Sequence, residues 1–375
     1  MKIAVNTRLV IPDKMDGIGW FTLQTFKILA EQNPSISFYF IFDRTPPDFF
    51  KEYKNVTPIV ISPKTRHIYL FPYWYQVALK RVLNKINPDV FVATDGMFPL
   101  NSNIKTLAVI HDLNFEHYPK MLPKNVLKYY QKYFPQFAKK ATRIATVSEY
   151  SKSDIINTYQ INSEKIKVVY NGASSSFKPL NEEVINQVRI QYTKGKPYFL
   201  FVGTIHPRKN IVNLLKAFEQ FKHQYNSDFK IVIAGKMMWK DKELDELLKI
   251  ATYSDDVVFT GRLSDEELIK VTAAATALTY LPFFEGFGIP IVEAMRCGVP
   301  VIASNVTSMP EVAGKAALLV NPTNVDEITK AMHQVTTNES LKNELLEEAK
   351  KQVQQFTWEN TAKRMMLAIE EVCSF

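Results

Sequence analysis

Cysteine is nearly absent from this 375-residue chain, which holds only Cys297 and Cys373. Two cysteines so far apart make neither a disulfide framework nor a zinc-ligand spacing, which fits a reducing compartment. Long apolar runs are missing too. The longest, Thr272 to Phe284, is interrupted by threonine and falls short of the ~18 residues that span a bilayer. The opening residues, Met1-Lys2-Ile3-Ala4-Val5-Asn6, are too short an apolar stretch for a secretory signal, so a cytoplasmic protein is expected. There is no Walker loop, no HExxH helix and no GxSxG nucleophile elbow. An Asp-x-Asp metal seat after a strand is also lacking: Asp43-Arg44-Thr45 has one acid too few, and Asp255-Asp256 are adjacent. No metal is expected.

What is present describes an ordinary globular protein of about two domains. Hydrophobic residues make up 46% of the chain and charged ones 22%, which argues against long disorder. The charge is uneven. Residues 1–177 hold 23 Lys/Arg and 13 Asp/Glu, a net of +10, whereas residues 178–375 hold 23 and 25, a net of −2. Such asymmetry points to an anionic partner for the first half, or simply to solubility.

Short β-branched and aromatic runs alternate with helical patterns, the signature of parallel α/β layers. In the first half the runs predict strands at Lys2–Asn6, Ser37–Phe42, Pro58–Ile61, Val90–Ala93, Leu107–Ile110, Ile144–Val147 and Ile166–Tyr170. A polar stretch with Pro179 then separates the halves, and the pattern restarts with strands at Tyr198–Val202, Lys230–Ala234, Val257–Thr260, Ala277–Leu281 and Val299–Ala303. Asn324 to Phe356 reads as amphipathic helix without strands, and 358–375 as a last helix returning to the first domain. The expected domains are therefore 1–177 with 358–375, and 178–357. Two doubly wound domains facing each other would place a ligand cleft at their carboxyl strand ends.

The most informative segment is Phe284-Glu285-Gly286-Phe287-Gly288-Ile289-Pro290-Ile291-Val292-Glu293, set between a strand and a helix. Pro290 suits the first helical turn, where its missing N–H costs nothing. Gly286 and Gly288 let backbone amides approach an anion or sugar closely at a helix N-terminus. Glu285 and Glu293 can accept hydrogen bonds from vicinal hydroxyls. Val202-Gly203-Thr204-Ile205-His206-Pro207-Arg208-Lys209-Asn210 follows the first strand of the second half. Its Arg208 fork and Lys209 point charge suit a diphosphate, and Asn210 is a good N-cap.

In the first half, Asp16-Gly17-Ile18-Gly19-Trp20 is half a dinucleotide fingerprint, with Thr22 where a third glycine would stand. It reads as a flexible loop able to close over a phosphate, or as a plain tight turn. His111-Asp112 follows a strand, where His111 can meet a substrate hydroxyl and Asp112 can orient it. In Ser148-Glu149-Tyr150-Ser151 a helix cap is the better reading. Lys120, Lys124, Lys128 and Lys132 recur every four residues among tyrosines, with a second aromatic run from His67 to Tyr75. That face either lies on an anionic membrane or is a solvated lysine face over a packed aromatic one.

The run E-G-F-G-I-P-I-V-E-A-M-R-C-G-V-P-V-I-A-S resembles the retaining glycosyltransferases of family four, which have the GT-B fold: α/β, two Rossmann-like doubly wound domains facing across a cleft. Glu285 and Glu293 fall on the family's E-x7-E pair. Gly203 to Asn210 resembles its diphosphate segment, and Phe259 to Ser264, with Arg262, its base-contacting stretch. Ser308-Met309-Pro310-Glu311-Val312, Gly17-Ile18-Gly19, His111-Asp112-Leu113 and Val147 to Ser151 also match expected places. The resemblance implies that Arg208 and Lys209 neutralise a leaving diphosphate and that Glu293 holds the ribose. Glu285 with the backbone of Gly286, Phe287, Gly288 and Ile289 would grip the donor sugar, and His111 would approach its reacting carbon. It further implies transfer with retention; no metal or other cofactor is expected, and closure of the two domains would exclude water.

Because the PRKN and HDL segments look most like bacterial mannosyltransferases, GDP-mannose is the preferred donor. A glycan or polyprenyl-linked oligosaccharide is the expected acceptor, in cell-envelope polysaccharide synthesis, with peripheral contact to an anionic membrane. UDP-glucose, UDP-galactose and N-acetylated donors stay open. A GT-B nucleotide-sugar epimerase is opposed by the intact E-x7-E pattern. Nucleic-acid binding is opposed by the lack of any recognisable module.

Overall fold

A computed structural model describes residues 1–11, 15–65, 67–237 and 242–375, apart from the side chains at positions 49 and 51. The chain forms two compact units, Met1–Gly172 with Trp358–Phe375, and Ala173–Thr357.

Seven strands build the sheet of the first unit: β1 (Lys2–Asn6), β2 (Ser37–Phe42), β3 (Val56–Val60), β4 (Val90–Ala93), β5 (Thr106–Val109), β6 (Arg143–Thr146) and β7 (Ile166–Val168). Their order is β3-β2-β1-β4-β5-β6-β7, with every pairing parallel. Strands such as β4 are buried along their whole length, as a parallel sheet covered on both faces requires. The order reverses between β1 and β4, so the loops leaving those strands flank the switch point where doubly wound sheets bind ligands.

The helix Trp358–Cys373 packs on the helix Gly17–Gln32 and along β4, β5 and β6. Its Met365, Ile369 and Val372 are fully buried at helical spacing, and Thr361 Oγ1 donates to Tyr170 O at 2.7 Å.

The helix Lys124–Lys140 starts directly after Pro123. It buries Tyr129, Phe134 and Phe137 and exposes Lys124, Lys128 and Lys132, while Lys120 lies in the preceding 3-10 turn. In the second aromatic run Phe71, Trp74 and Tyr75 are buried, whereas Tyr69 and Tyr73 face solvent.

The second unit has six strands: β8 (Tyr198–Val202), β9 (Lys230–Ala234), β10 (Val257–Gly261), β11 (Ala277–Tyr280), β12 (Val301–Ser304) and β13 (Ala317–Val320). All pairs are parallel, in the order β10-β9-β8-β11-β12-β13, and the switch point lies between β8 and β11.

Two expectations fail here. β13 is an added strand: its Ala317-Leu318-Leu319-Val320 run is apolar throughout, but alanine and leucine favour helix, and Val320 is its one β-branched residue. The helical stretch from Asn324 breaks at Asn338 into Val325–Thr337 and Glu339–Gln352. The Asn338 side chain accepts from Leu341 N at 3.0 Å and caps the second helix, an alternative to continuing the first.

Candidate active site

At the second unit's switch point, the loop after β8 delivers Arg208 and Lys209, and the loop after β11 delivers Glu285. Pro207–Lys209 forms one 3-10 turn, closed by His206 Nδ1, which accepts from Arg208 N at 3.2 Å. Asn210 has left-handed backbone (φ 60°), and its side chain does not cap the next helix. It instead donates to Leu281 O at 3.0 Å and Pro322 O at 2.7 Å, tying the loop to the neighbouring strand end. The cap expected at Asn210 is thereby replaced by a buried tether.

Arg208 and Lys209 converge on a single oxygen, Glu285 Oε1. Lys209 Nζ lies 2.5 Å away, and Arg208 Nη1 donates to the same oxygen and to Phe284 O. All three side chains are largely buried, at 19%, 12% and 14% exposure for Arg208, Lys209 and Glu285. Tyr280, at the end of β11, steadies the lysine: its hydroxyl accepts from Nζ at 2.8 Å and the ammonium sits 5.1 Å from its ring centroid. Burial alone would raise the Glu285 carboxyl, but the two cations outweigh it and hold the group below the usual carboxylate range. Burial likewise works against Lys209, and Glu285 raises it above its ordinary value.

Glu293 lies on the helix Ile289–Arg296 and has the opposite character. Burial, assisted by Asp265, pushes its carboxyl up to about 8. The two acids are thus not a pair of free carboxylates, as their shared spacing predicts; one is ionised against cations and the other is neutral at pH 7. A carboxyl raised in the folded state favours folding while protonated and loses that contribution as pH climbs from its unfolded value toward 8. Glu293→Gln should therefore raise the melting temperature at pH 8 and leave it nearly unchanged at pH 5, as thermal unfolding at both pH values will read.

The glycine loop is held from below. Ser308, fully buried, donates through Oγ to Glu285 O at 2.9 Å and Phe287 O at 3.2 Å. Gly288 has φ 101°, and a Cβ there would fall 2.8 Å from Met309 Cε. Phe287 turns its ring inward onto Phe356 (5.3 Å, 85°), so its side chain anchors the core and leaves only backbone for a ligand. Gly286 is buried and Ile289 opens the helix. Ser308→Ala should cost about 1–2 kcal/mol in urea denaturation, since both carbonyls lose their donor. Gly203 spends its amide on Ala234 O at 2.9 Å, and Arg262 is exposed beyond β10, two strands from β8.

In the first unit, Gly17 and Gly19 belong to the first turn of the helix Gly17–Gln32, not to a flexible loop. Asp16 is the cause, since its side chain accepts from Gly19 N at 3.0 Å and caps the helix. A Cβ at Gly19 would meet Leu9 O at 2.6 Å, whereas Gly17 borders open space.

His111 follows β5, with its ring edge-on to Phe21 at 5.0 Å and Nε2 3.0 Å from Thr94 O. A carbonyl only accepts, so Nε2 carries the hydrogen and Nδ1 is left as an acceptor. Burial lowers the imidazole from its ordinary value and keeps it neutral. Asp112, expected to orient His111, does not: its Oδ1 accepts from Asn114 N at 2.9 Å and Asn114 Nδ2 at 2.5 Å, starting the short helix Asn114–His117. Thr94 orients the ring instead. The Ser148 side chain caps its helix by accepting from Ser151 N at 3.0 Å, and Ser151 Oγ donates to His111 O at 3.1 Å.

A pair that carries no motif lies beside His111 in the sheet order. Arg8, after β1, and Asp95, after β4, form a buried ion pair at 3.0 Å across the switch point. Tyr75 OH also donates to Asp95 at 2.5 Å. Only the strand order singles out these residues. Among the described residues, no group of three or more His, Cys, Asp or Glu is placed to hold a metal ion. No helix among them is long and apolar enough to cross a membrane.

Comparison with known proteins bears on the family and the fold. Residues 15–177 match the model for Glycosyltransferase Family 4, and residues 185–352 that for Glycosyl transferases group 1. The O-antigen chain mannosyltransferase B of Escherichia coli is 34% identical over 257 residues, 68% of each chain. Sucrose-phosphate synthase from Thermosynechococcus elongatus superposes with a TM-score of 0.82 at 18% identity, covering 100% of this chain and 99% of that one. Anabaena HepE in complex with UDP-glucose gives a TM-score of 0.76 at 17% identity, covering 100% of both chains. Two parallel doubly wound units, cations and an acid at a switch point, and matches along both halves lead to one assignment: the chain belongs to the family-four glycosyltransferases of GT-B fold.

Proposed function

We propose that this glycosyltransferase moves a hexose, preferably mannose from GDP-mannose, to a glycan or polyprenyl-linked acceptor with retention of anomeric configuration. The observation that carries the reading is the convergence of Arg208 and Lys209 on one carboxylate oxygen at the switch point. Two fixed, largely buried cations suit the charge that builds on a departing diphosphate. Glu285 and the backbone of Gly286 to Ile289 would grip the sugar, and Glu293 the ribose. A neutral His111, with Nδ1 as acceptor, suits a sugar hydroxyl.

The bond from the sugar's anomeric carbon to the diphosphate oxygen breaks as the acceptor oxygen forms its bond on the same face. The acceptor's proton passes to the departing phosphate oxygen. Mannose is favoured by the likeness to an O-antigen mannosyltransferase. A UDP-sugar donor is the second reading, favoured by the likeness to a structure holding UDP-glucose. We further propose that catalysis needs no metal and that the protein works in the cytoplasm, where the exposed face of Lys124, Lys128 and Lys132 meets anionic lipid.

The test is incubation with GDP-mannose and polyprenyl-diphosphate-linked oligosaccharides, following GDP release and lengthening of the acceptor. GDP release that depends on the acceptor is expected. Lengthening only with UDP-sugars would overturn the mannose assignment. If the lysine face meets membrane, vesicle association should require anionic lipid and fall with salt; equal binding to neutral vesicles would contradict it.

A further inference from the structure

We propose that Glu285 sets the preference for the sugar-bearing nucleotide over the bare nucleoside diphosphate, by occupying the diphosphate's own cations until sugar hydroxyls draw it away. The inference rests on reading Arg208 and Lys209 as the diphosphate seat. That seat is filled from within by Glu285 Oε1, which takes both cations.

The cations are poorly placed to follow the carboxylate if it leaves. Lys209 is held by the hydroxyl and ring of Tyr280, and Arg208 by Phe284 O. The Arg208 carbonyl also accepts from Phe283 N at 3.0 Å, locking the two loops together. The backbone of Glu285 is equally fixed, because Ser308 Oγ donates to its carbonyl at 2.9 Å. What remains to move is the Glu285 side chain.

Any diphosphate must therefore displace a largely buried carboxylate. A bare nucleoside diphosphate leaves that carboxylate without partners and beside another anion, which is costly. A nucleotide sugar brings hydroxyls that donate to it and offset the loss. Once the sugar has been transferred those donors depart with the product glycan. Glu285 then competes again for Arg208 and Lys209 and helps expel the nucleoside diphosphate. One side chain thus serves donor selection and product release.

The experiment is calorimetric titration of the full chain with GDP, UDP and GDP-mannose, in wild type, Glu285→Gln and Glu285→Asp, each checked for folding by circular dichroism. The readout is the ratio of the nucleoside-diphosphate Kd to the nucleotide-sugar Kd, which a general loss of structure would not shift in one direction. Glu285→Gln should move this ratio toward the bare diphosphate by about tenfold or more. Glu285→Asp keeps the charge but is one methylene too short to reach both cations, and it should move the ratio the same way. An unchanged ratio in Glu285→Gln overturns the proposal while leaving the nucleotide site intact. Wild-type behaviour in Glu285→Asp alone assigns the effect to charge repulsion and overturns seat occupation. Absence of nucleotide binding in all three proteins refutes the diphosphate reading and this inference with it.

Discussion

Glu285→Ala should abolish transfer, lowering turnover by at least about 100-fold, the scale of losing one preorganised group at a developing charge. The carboxylate has Arg208 and Lys209 as its partners, and the glycine loop that carries it is pinned separately by Ser308 through backbone carbonyls. Truncation at Glu285 therefore removes the acid proposed to face the sugar without dismantling the loop. Two buried cations lose their counter-charge, so some stability is lost as well, and an anionic ligand should restore part of it. The check is turnover with GDP-mannose beside a thermal-unfolding curve. Wild-type turnover in a folded variant would sink the role given to Glu285.

Replacing both Arg208 and Lys209 by alanine should weaken nucleoside-diphosphate binding by about 2–4 kcal/mol, roughly 30- to 1,000-fold in Kd. Two charge-assisted contacts are lost in a setting where water screens little, since both side chains are at most 19% exposed. Loss of the cations also strands Glu285, whose carboxyl is buried and held ionised by them. Its pKa should rise in the double variant, and binding should become more pH-dependent. Titration calorimetry with GDP reads both effects, and unchanged affinity would remove the diphosphate assignment.

Much of this architecture is legible in the order of residues alone. Strands such as β1, β2, β8 and β9 stand out as continuous apolar runs, because both faces of a parallel sheet are covered. The switch-point residues after β8 and β11 are legible through the spacing of Glu285 and Glu293 and the juxtaposed Arg208 and Lys209. β13 is not, because its Ala317-Leu318-Leu319-Val320 run, though apolar, consists mostly of helix-favouring residues and lacks the β-branched and aromatic mark of a strand.

Other features depend on three-dimensional neighbours that spacing does not encode. Asp112 stands next to His111 yet turns to Asn114, and the partner of the ring is Thr94, on the adjacent strand's loop. Arg8 and Asp95 are 87 positions apart and meet only because β1 and β4 are neighbours in the sheet. Glu285 and Glu293 share a motif but not a protonation state: the first faces two cations, and the second faces burial and Asp265.

The proposed function requires the second unit to hold a nucleotide-diphosphate sugar. A thermal-shift series with GDP-mannose, GDP, UDP-glucose, UDP-N-acetylglucosamine and UDP, each with and without EDTA, tests it most directly. A ligand that binds only the folded state stabilises it by RT ln(1 + [L]/Kd) and so raises the melting temperature. A rise confined to the guanine nucleotides and indifferent to EDTA is expected, whereas no rise with any of the five would rule out nucleotide-sugar binding by this unit.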